Sequence, residues 1–198
     1  MPAIAAYKPP SQPPAMADST AEWHIRPARA GDEDALWALV QSVAQAGDSY
    51  PYPADIGREE GLRLWLEVPD ETHVAASEGQ VLGGYYIKPN QGGPGAHVCN
   101  CGYIVAPQAR GRGVARALHT HSLATARRLG YLAMQYNLVV STNTVAVRLW
   151  QQLGFEIVGT LPRAFRHRTL GLVDAYVMYR WLGDDAPENQ AGLRPTKR

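Results

Sequence analysis

The sequence predicts a mixed α/β fold, a central sheet of about seven strands with helices on both faces. Three observations carry this. The hydrophobic period switches repeatedly between strand-like alternation and helical spacing. The first half holds two apolar runs joined by a tight turn, as in an antiparallel hairpin. The second half settles into a strand-helix-strand rhythm, the pattern of parallel crossovers. The chain has 198 residues, 45% of them hydrophobic, with 19 basic against 18 acidic side chains. That length suits one domain with a single core. A formal charge of +1 argues against a general binder of nucleic acid or acidic membranes. No apolar run approaches the roughly 20 residues that span a bilayer. Two cysteines, Cys99 and Cys101, are too few for a disulfide framework, so a cytoplasmic setting is expected.

Residues 1–21 hold Pro2, Pro9, Pro10, Pro13 and Pro14 among Ala and Ser. They offer little to bury, and a mobile tail is expected there, without the apolar run of a signal peptide. Residues 183–198, polar and carrying Pro187 and Pro195, read as a second tail. Residues 22–182 form the predicted domain. Trp23-His24-Ile25-Arg26 alternates as a short strand. Asp32, Glu33 and Asp34 open a helix at its positive dipole end, with Leu36, Leu39, Val40 and Val43 as the apolar stripe. Ser49-Tyr50-Pro51-Tyr52-Pro53 is a loop, followed by a second helix presenting Leu62, Trp65 and Leu66 on one side. Val74 to Ser77 and Val81 to Lys88 pair through the Glu78-Gly79 turn. After the Gly92–Gly95 connection comes a long strand, His97 to Ala106. A helix from about Gly113 to Leu129 ends at Gly130, and a strand runs from Tyr131 to Val140. A helix from about Asn143 to Leu153 ends at Gly154, since glycine past a helix takes the left-handed turn readily. Phe155 to Gly159 and Val173 to Trp181 are the last strands.

The chemistry concentrates in Val105-Ala106-Pro107-Gln108-Ala109-Arg110-Gly111-Arg112-Gly113-Val114-Ala115, where a strand ends and a helix begins. Glycines there let a ligand approach the backbone. The unpaired N–H groups of a first helical turn, aided by the dipole, suit a pyrophosphate. Arg110 and Arg112 add positive charge at the rim. A simple turn remains the alternative on spacing alone. The stretch is neither a dinucleotide fingerprint, because position 116 is Arg, nor a Walker A loop, because no Gly-Lys-Ser/Thr follows.

Arg110-x-x-Gly113-x-Ala115, preceded by Val105-x-Pro107, resembles the acyl-CoA signature of the GNAT superfamily of N-acetyltransferases. Asn143-x-x-Ala146-x-x-Leu149-Trp150-x-x-Leu153-Gly154-Phe155 resembles the second motif of that family. The resemblance covers about Trp23 to Leu182. It implies a mostly antiparallel sheet splayed between its fourth and fifth strands, with acetyl-CoA in the opening. It further implies that backbone groups of Tyr103, Ile104 and Val105 pair with the pantetheine arm. The N–H groups of Gly111, Arg112, Gly113, Val114, Ala115 and Arg116 would hold the pyrophosphate, and Asn143 would touch the cofactor. Tyr86-Ile87-Lys88-Pro89-Asn90, Cys99-Asn100-Cys101-Gly102, Tyr136-Asn137-Leu138-Val139 and Val173-Asp174-Ala175 are similar to fungal acetyltransferases of azetidine-2-carboxylate and other proline analogues. That similarity implies catalytic and substrate-binding roles for Asn100 and Asn137, and a substrate-pocket role for Tyr103.

Read from the residues alone, Asn100 interrupts an apolar strand and Asn137 sits in the next. A buried amide is costly unless partnered. The pair could grip a substrate near the carboxyl edge of the sheet, or satisfy each other structurally. A carboxamide cannot act as a general base. The base candidates are Asp174, Glu156, His119 and His167, with His119 and His121 expected on a solvent-facing helix. Trp150 stands where many family members carry a tyrosine credited with protonating the thiolate; indole is no acid at neutral pH, and Trp150 shares an apolar stripe. Tyr131 or Tyr136 could substitute. A strand N–H around Ile104 or Val105 would polarise the thioester. Asn143 also suits an N-cap, and Cys99 and Cys101 read as small buried hydrophobes rather than metal ligands. The expected function is transfer of an acetyl group from acetyl-CoA to a small-molecule amine, with a proline-like cyclic amino acid favoured, by a monomer or homodimer. The alternatives are acetylation of a protein N-terminus or polyamine, or a non-catalytic acyl-CoA sensor.

Overall fold

A computed structural model describes residues 23–183; the predicted tails lie outside them apart from Gly183. Strand β1 (His24–Pro27) leads into α1 (Glu33–Ala46). Helix α2 (Arg58–Leu62) continues as a wider π-helical turn, Arg63–Glu67. Then come β2 (Glu71–Ser77), β3 (Gln80–Pro89), β4 (Val98–Val105), α3 (Val114–Arg128), β5 (Ala133–Val140), α4 (Thr144–Gln152), β6 (Glu156–His167) and β7 (Gly171–Trp181). The seven strands lie in the order β1-β2-β3-β4-β5-β7-β6. Every pairing is antiparallel except β4 with β5. That one pairing is confined to Val98 opposite Ala133 and Cys99 opposite Met134. Beyond it the two strands part, which is the opening expected between the fourth and fifth strands.

Helices cover both faces. Consecutive residues of a strand point to opposite sides. A Cβ built on Gly83 would approach Leu118 of α3, and one on Gly84 would approach Leu36 of α1. Residues in phase with Gly83 and Tyr85 therefore face α3, and those in phase with Gly84 and Tyr86 face α1. The β2–β3 hairpin turns on Glu78 and Gly79, both at positive φ (48° and 82°), the conformation that matches strand twist in a two-residue turn. Before α1, Arg26 forks onto the Asp32 carboxylate at 2.6 and 2.8 Å, which holds that carboxyl below its usual range.

Two expectations change. Strand β6 runs to His167 rather than stopping near Gly159, because its pairing with β7 continues through two irregularities, one around Arg163 at φ 53°. Its residues are mostly exposed, so burial leaves no alternation to read. Around His119, α3 is not solvent-facing. Its buried stripe is Val114, Leu118, His119, Ser122, Thr125 and Ala126. Tyrosines from the sheet supply the partners that let this polar stripe be buried.

Candidate active site

The turn between β4 and α3 begins with a 3₁₀ turn, Pro107–Ala109. It then takes positive φ at Gly111 (75°) and Gly113 (79°), where Gly113 caps α3. Side chains other than glycine are strained there. Arg110 donates its N–H to Pro107 and the next backbone bond is Ala117 to Gly113. Among the described residues the intervening N–H groups, 111–116, have no backbone acceptor. They are not walled in: Gly111, Arg112 and Gly113 are exposed, and a Cβ on either glycine would meet nothing within 4 Å. Arg110, Arg112 and Arg116 are exposed around them. Arg116 also reaches the Gln152 amide at 3.0 Å. The result is a cluster of outward N–H donors at a helix start, with cationic side chains about it.

The opening in the sheet leads to this cluster along one edge of β4. Asn90 donates to Val98 O and Ala106 to Leu82 O, both at 2.8 Å. This phase assigns Asn100, Gly102 and Ile104 to the β3 ladder, because antiparallel pairs alternate. Cys101, Tyr103 and Val105 thus turn their backbone groups toward β5, where no ladder continues past Cys99. Of the three expected pantetheine partners, Tyr103 and Val105 face the opening and Ile104 faces β3. Tyr50 Oη already donates to Tyr103 O at 2.9 Å.

On the α1 face, amides and rings gather beside this opening. Buried Asn100 donates Nδ2 to Gln135 O at 2.9 Å. Only a carbonyl stands there, which settles the amide's orientation and leaves Asn100 Oδ1 for another donor. Gln135 Nε2 donates to Asn137 Oδ1 at 2.8 Å, and Asn137 Nδ2 donates to Asn90 Oδ1 at 2.7 Å. The two asparagines are therefore not each other's partners. Nor is Asn100 at the carboxyl edge: it is the third residue of β4, where β4 and β5 begin to part. Tyr86 lies over Gly102, so closely that a Cβ there would come within 2.5 Å of the ring. Trp65 meets Tyr86 edge-on at 5.1 Å and donates Nε1 to Tyr52 Oη at 3.1 Å. Tyr52 stacks on Tyr50 at 5.1 Å. No carboxylate or imidazole is among these hydrogen-bonding groups.

On the α3 face, hydroxyls bridge the two strands. Tyr103 Oη lies 2.7 Å from Ser122 Oγ and accepts from Tyr136 Oη at 3.2 Å; Tyr136 Oη is also 3.1 Å from His119 Nδ1. The Tyr103 ring thus lies across the sheet from Asn100 and Asn137, and only its carbonyl edge is shared with their side. Fully buried His119 has no partner at Nε2. Burial, with Arg180 and Arg116 nearby, lowers its pKa to about 4. Burial also lowers that of His73 to about 4. Desolvation holds the Tyr136 and Tyr50 phenols well above their usual range, so they are donors rather than bases.

The other candidates are occupied elsewhere. Asp174 accepts from the Arg163 N–H at 2.8 Å and braces the β6 irregularity. His167 Nδ1 accepts N–H groups of Thr169 and Leu170 in the β6–β7 turn, and Glu156 is exposed at the start of β6. Tyr131 donates to Asp70 and Tyr136 to Tyr103 Oη on the α3 face, whereas Tyr50 Oη reaches the Tyr103 carbonyl at the opening. Trp150 is buried, 5.1 Å from both Tyr103 and Tyr136, as packing predicts. Asn143 Oδ1 caps α4 through Ala146 N at 3.2 Å. In the sequence, Tyr50 and Tyr52 stand in a loop and Trp65 on a helix face; Tyr86, Lys88 and Asn90 enter through the resemblance without a role, and Gln135 has none. The signal was available in the alternation of residues 86, 88 and 90 on one strand face.

Comparison with known proteins places these features in context. The model of the acetyltransferase (GNAT) family matches residues 35–155. The N-acetyltransferase aca1 of Schizosaccharomyces pombe is 41% identical over 159 residues, 72% of this chain and 76% of the relative. A GCN5-related N-acetyltransferase from Kribbella flavida shares 43% identity at a TM-score of 0.77, covering 80% of this chain and 97% of that one. The fold is also that of yncA of Salmonella typhimurium, solved with its cofactor acetyl-CoA (TM-score 0.72, 22% identity, 83% and 96% covered).

Proposed function

The chain belongs to the acetyltransferase (GNAT) family, and from that premise we propose that its domain, residues 22–182, moves an acetyl group from acetyl-CoA to the amine of a small molecule, with a proline-like cyclic amino acid favoured. The observation that carries the reading is the unladdered edge of β4, which leads past the Tyr50 hydroxyl on Tyr103 O to the N–H cluster of residues 111–116. An elongated thioester with an anionic end fits that sequence of donors. The N–H groups of Gly111 to Arg116 hold the diphosphate, with Arg110 and Arg112 at its rim. The outward N–H and C=O of Val105, and the Tyr103 C=O that the arm would share with Tyr50 Oη, pair with the pantetheine amides, Ile104 keeping the strand straight between them. The free Nδ2 of Asn143 reaches the same arm.

Acetyl-CoA supplies an activated acyl carbonyl, which the neutral acceptor nitrogen attacks while the coenzyme departs as thiolate. The chain's own part is to position and polarise. The Tyr103 N–H, turned into the opening and nearer Asn100 than Val105 is, suits the thioester oxygen, the Ile104 N–H being spent on β3; a preorganised donor of this kind is worth about 3–4 kcal/mol. Asn100 Oδ1 receives an N–H of the acceptor, and Asn137 orders the amide network beside it. The proton shed by the acceptor leaves through water, since no base stands at Asn100. The Tyr136 phenol, kept protonated by burial, already gives its O–H to Tyr103 Oη, and the thiolate takes its proton from water. A polyamine acceptor would need carboxylates where this face offers amides and phenols. Among the described residues no helix is long and apolar enough to cross a membrane, and both cysteines are free thiols; we place the protein in the cytoplasm, as a monomer or homodimer.

The test is release of coenzyme A from acetyl-CoA across a panel of azetidine-2-carboxylate, proline analogues, polyamines and N-terminal peptides. Turnover on the cyclic amino acids is expected. Binding of acetyl-CoA with no thiol released on any amine would instead identify a sensor.

A further inference from the structure

Residues 86, 88 and 90 of β3 and its extension share the face that carries Asn100. Asn90 remains in the ladder through its N–H to Val98 O at 2.8 Å, and Lys88 stands directly opposite Asn100 in register. The Lys88 ammonium lies 5.6 Å from the centre of the Tyr86 ring. Among the described residues it forms no ion pair with Asp or Glu. Beside it ends the amide relay Gln135 to Asn137 to Asn90, in which each nitrogen donates to the next oxygen. With its oxygen engaged, Asn90 has its N–H bonds left to give. This face therefore presents a cation at Lys88 and, two residues along the same strand face, the amide donors of Asn90. Across the ladder from Lys88 stands an acceptor, Asn100 Oδ1.

We propose that Lys88 and Asn90 form a carboxylate-binding corner of the acceptor site, so that the preferred acceptor is an amino acid whose carboxylate adjoins the amine to be acetylated. This rests on the acetyl-transfer reading and specifies its acceptor. A carboxylate accepts several donors at once and is held most firmly by charged ones. Its seat on Lys88 turns the neighbouring nitrogen toward Asn100 Oδ1. A diamine would put a cation where a cation already stands.

The experiment compares wild type with Lys88→Gln and Lys88→Arg on L-azetidine-2-carboxylate and its carboxamide, with saturating acetyl-CoA and thiol release as the readout. In parallel, L-azetidine-2-carboxylate is titrated calorimetrically into protein saturated with coenzyme A. Losing a charge-assisted contact of about 1.5–3 kcal/mol predicts a 10- to 150-fold rise in KM for the acid with kcat nearly unchanged. The carboxamide should react equally with both proteins, and Lys88→Arg should recover part of the loss. Wild type that acetylates amines without preferring the acid overturns the carboxylate corner and leaves acetyl transfer standing. Equal losses on acid and carboxamide also overturn it. If no amine releases coenzyme A, acetyl transfer fails, and the titration judges the corner alone: binding abolished by Lys88→Gln upholds it, and unchanged or absent binding overturns it. Should Lys88→Gln not fold, the wild-type preference between acid and carboxamide decides.

Discussion

Gly113→Asp places a carboxylate among donors proposed to hold the coenzyme's diphosphate. Gly113 sits at φ 79° as the cap of α3, with open space where a Cβ would project. Substitution therefore meets no clash, only the backbone strain of a left-handed residue, about 1–2 kcal/mol. Gly113→Ala carries that strain alone and serves as the control. The charge acts separately. At about 6 Å and an effective dielectric of about 20, two like unit charges repel by roughly 3 kcal/mol. Exposure and salt reduce this toward 2 kcal/mol, while the new carboxylate also competes for the helix N–H groups. The expected outcome is a rise in KM for acetyl-CoA of about 30- to 160-fold in the Asp variant. Both variants should lose a similar amount of thermal stability, and acceptor KM should stay within threefold of wild type. Raising ionic strength should narrow the gap between Asp and Ala. Initial rates against acetyl-CoA concentration, with melting curves for both proteins, measure all of this. An Asp variant with unchanged acetyl-CoA KM and the melting temperature of the Ala variant would refute the assignment of residues 111–116.

Asn100→Ala should cut kcat/KM for the acceptor by about 10- to 150-fold, the loss of one hydrogen bond to a polar or charged nitrogen; steady-state rates with full turnover retained would make Asn100 purely structural. Gly102→Ala should displace Tyr86, since the new methyl would lie 2.5 Å from its ring; overpacking of about 1–3 kcal/mol should appear as a lower melting temperature and a higher acceptor KM, with acetyl-CoA KM unchanged. Acid should destabilise the fold through His73 and His119. Burial lowers each folded-state pKa to about 4 from an ordinary 6.5, so their neutral forms stabilise the protein fully above pH 6.5. That contribution fades as pH falls from 6.5 toward 4. Each should lose about 2 kcal/mol by pH 5, and urea midpoints at pH 7.5 and 5 check it.

Much of the fold is legible because burial imposes a period. The apolar runs of β2 and β3, buried on both faces, read as strands bounded by a turn, and the stripe of α1 is buried on one side. Strand β6 is mostly exposed, so nothing in its composition records the pairing with β7, and it reads several residues short. The two asparagines are legible as amides in apolar strands, and the 111–116 turn as glycines before a helix. What stays hidden depends on partners. His119 falls on the Val114–Leu118–Ser122 stripe, yet an imidazole looks solvent-facing until Tyr136 is known to meet it. Alternation places Tyr86, Lys88 and Asn90 together but cannot say which face of the sheet adjoins the opening, nor that Tyr103 sends its ring the other way.

The join between β4 and β5 is a seam only two residue pairs long. On either side of it lie broad antiparallel blocks, β1 to β4 and β5 with β7 and β6, each internally well stitched. The seam is the shortest ladder in the sheet, and cooperative units of unequal stability commonly separate along such joins. A guest lodged in the opening would act as a rivet, adding bonds to the margin of one block while leaning on the other. Amide-exchange protection should then rise on both lips of the seam together when coenzyme A is added, far more than in the hairpin of β2 and β3.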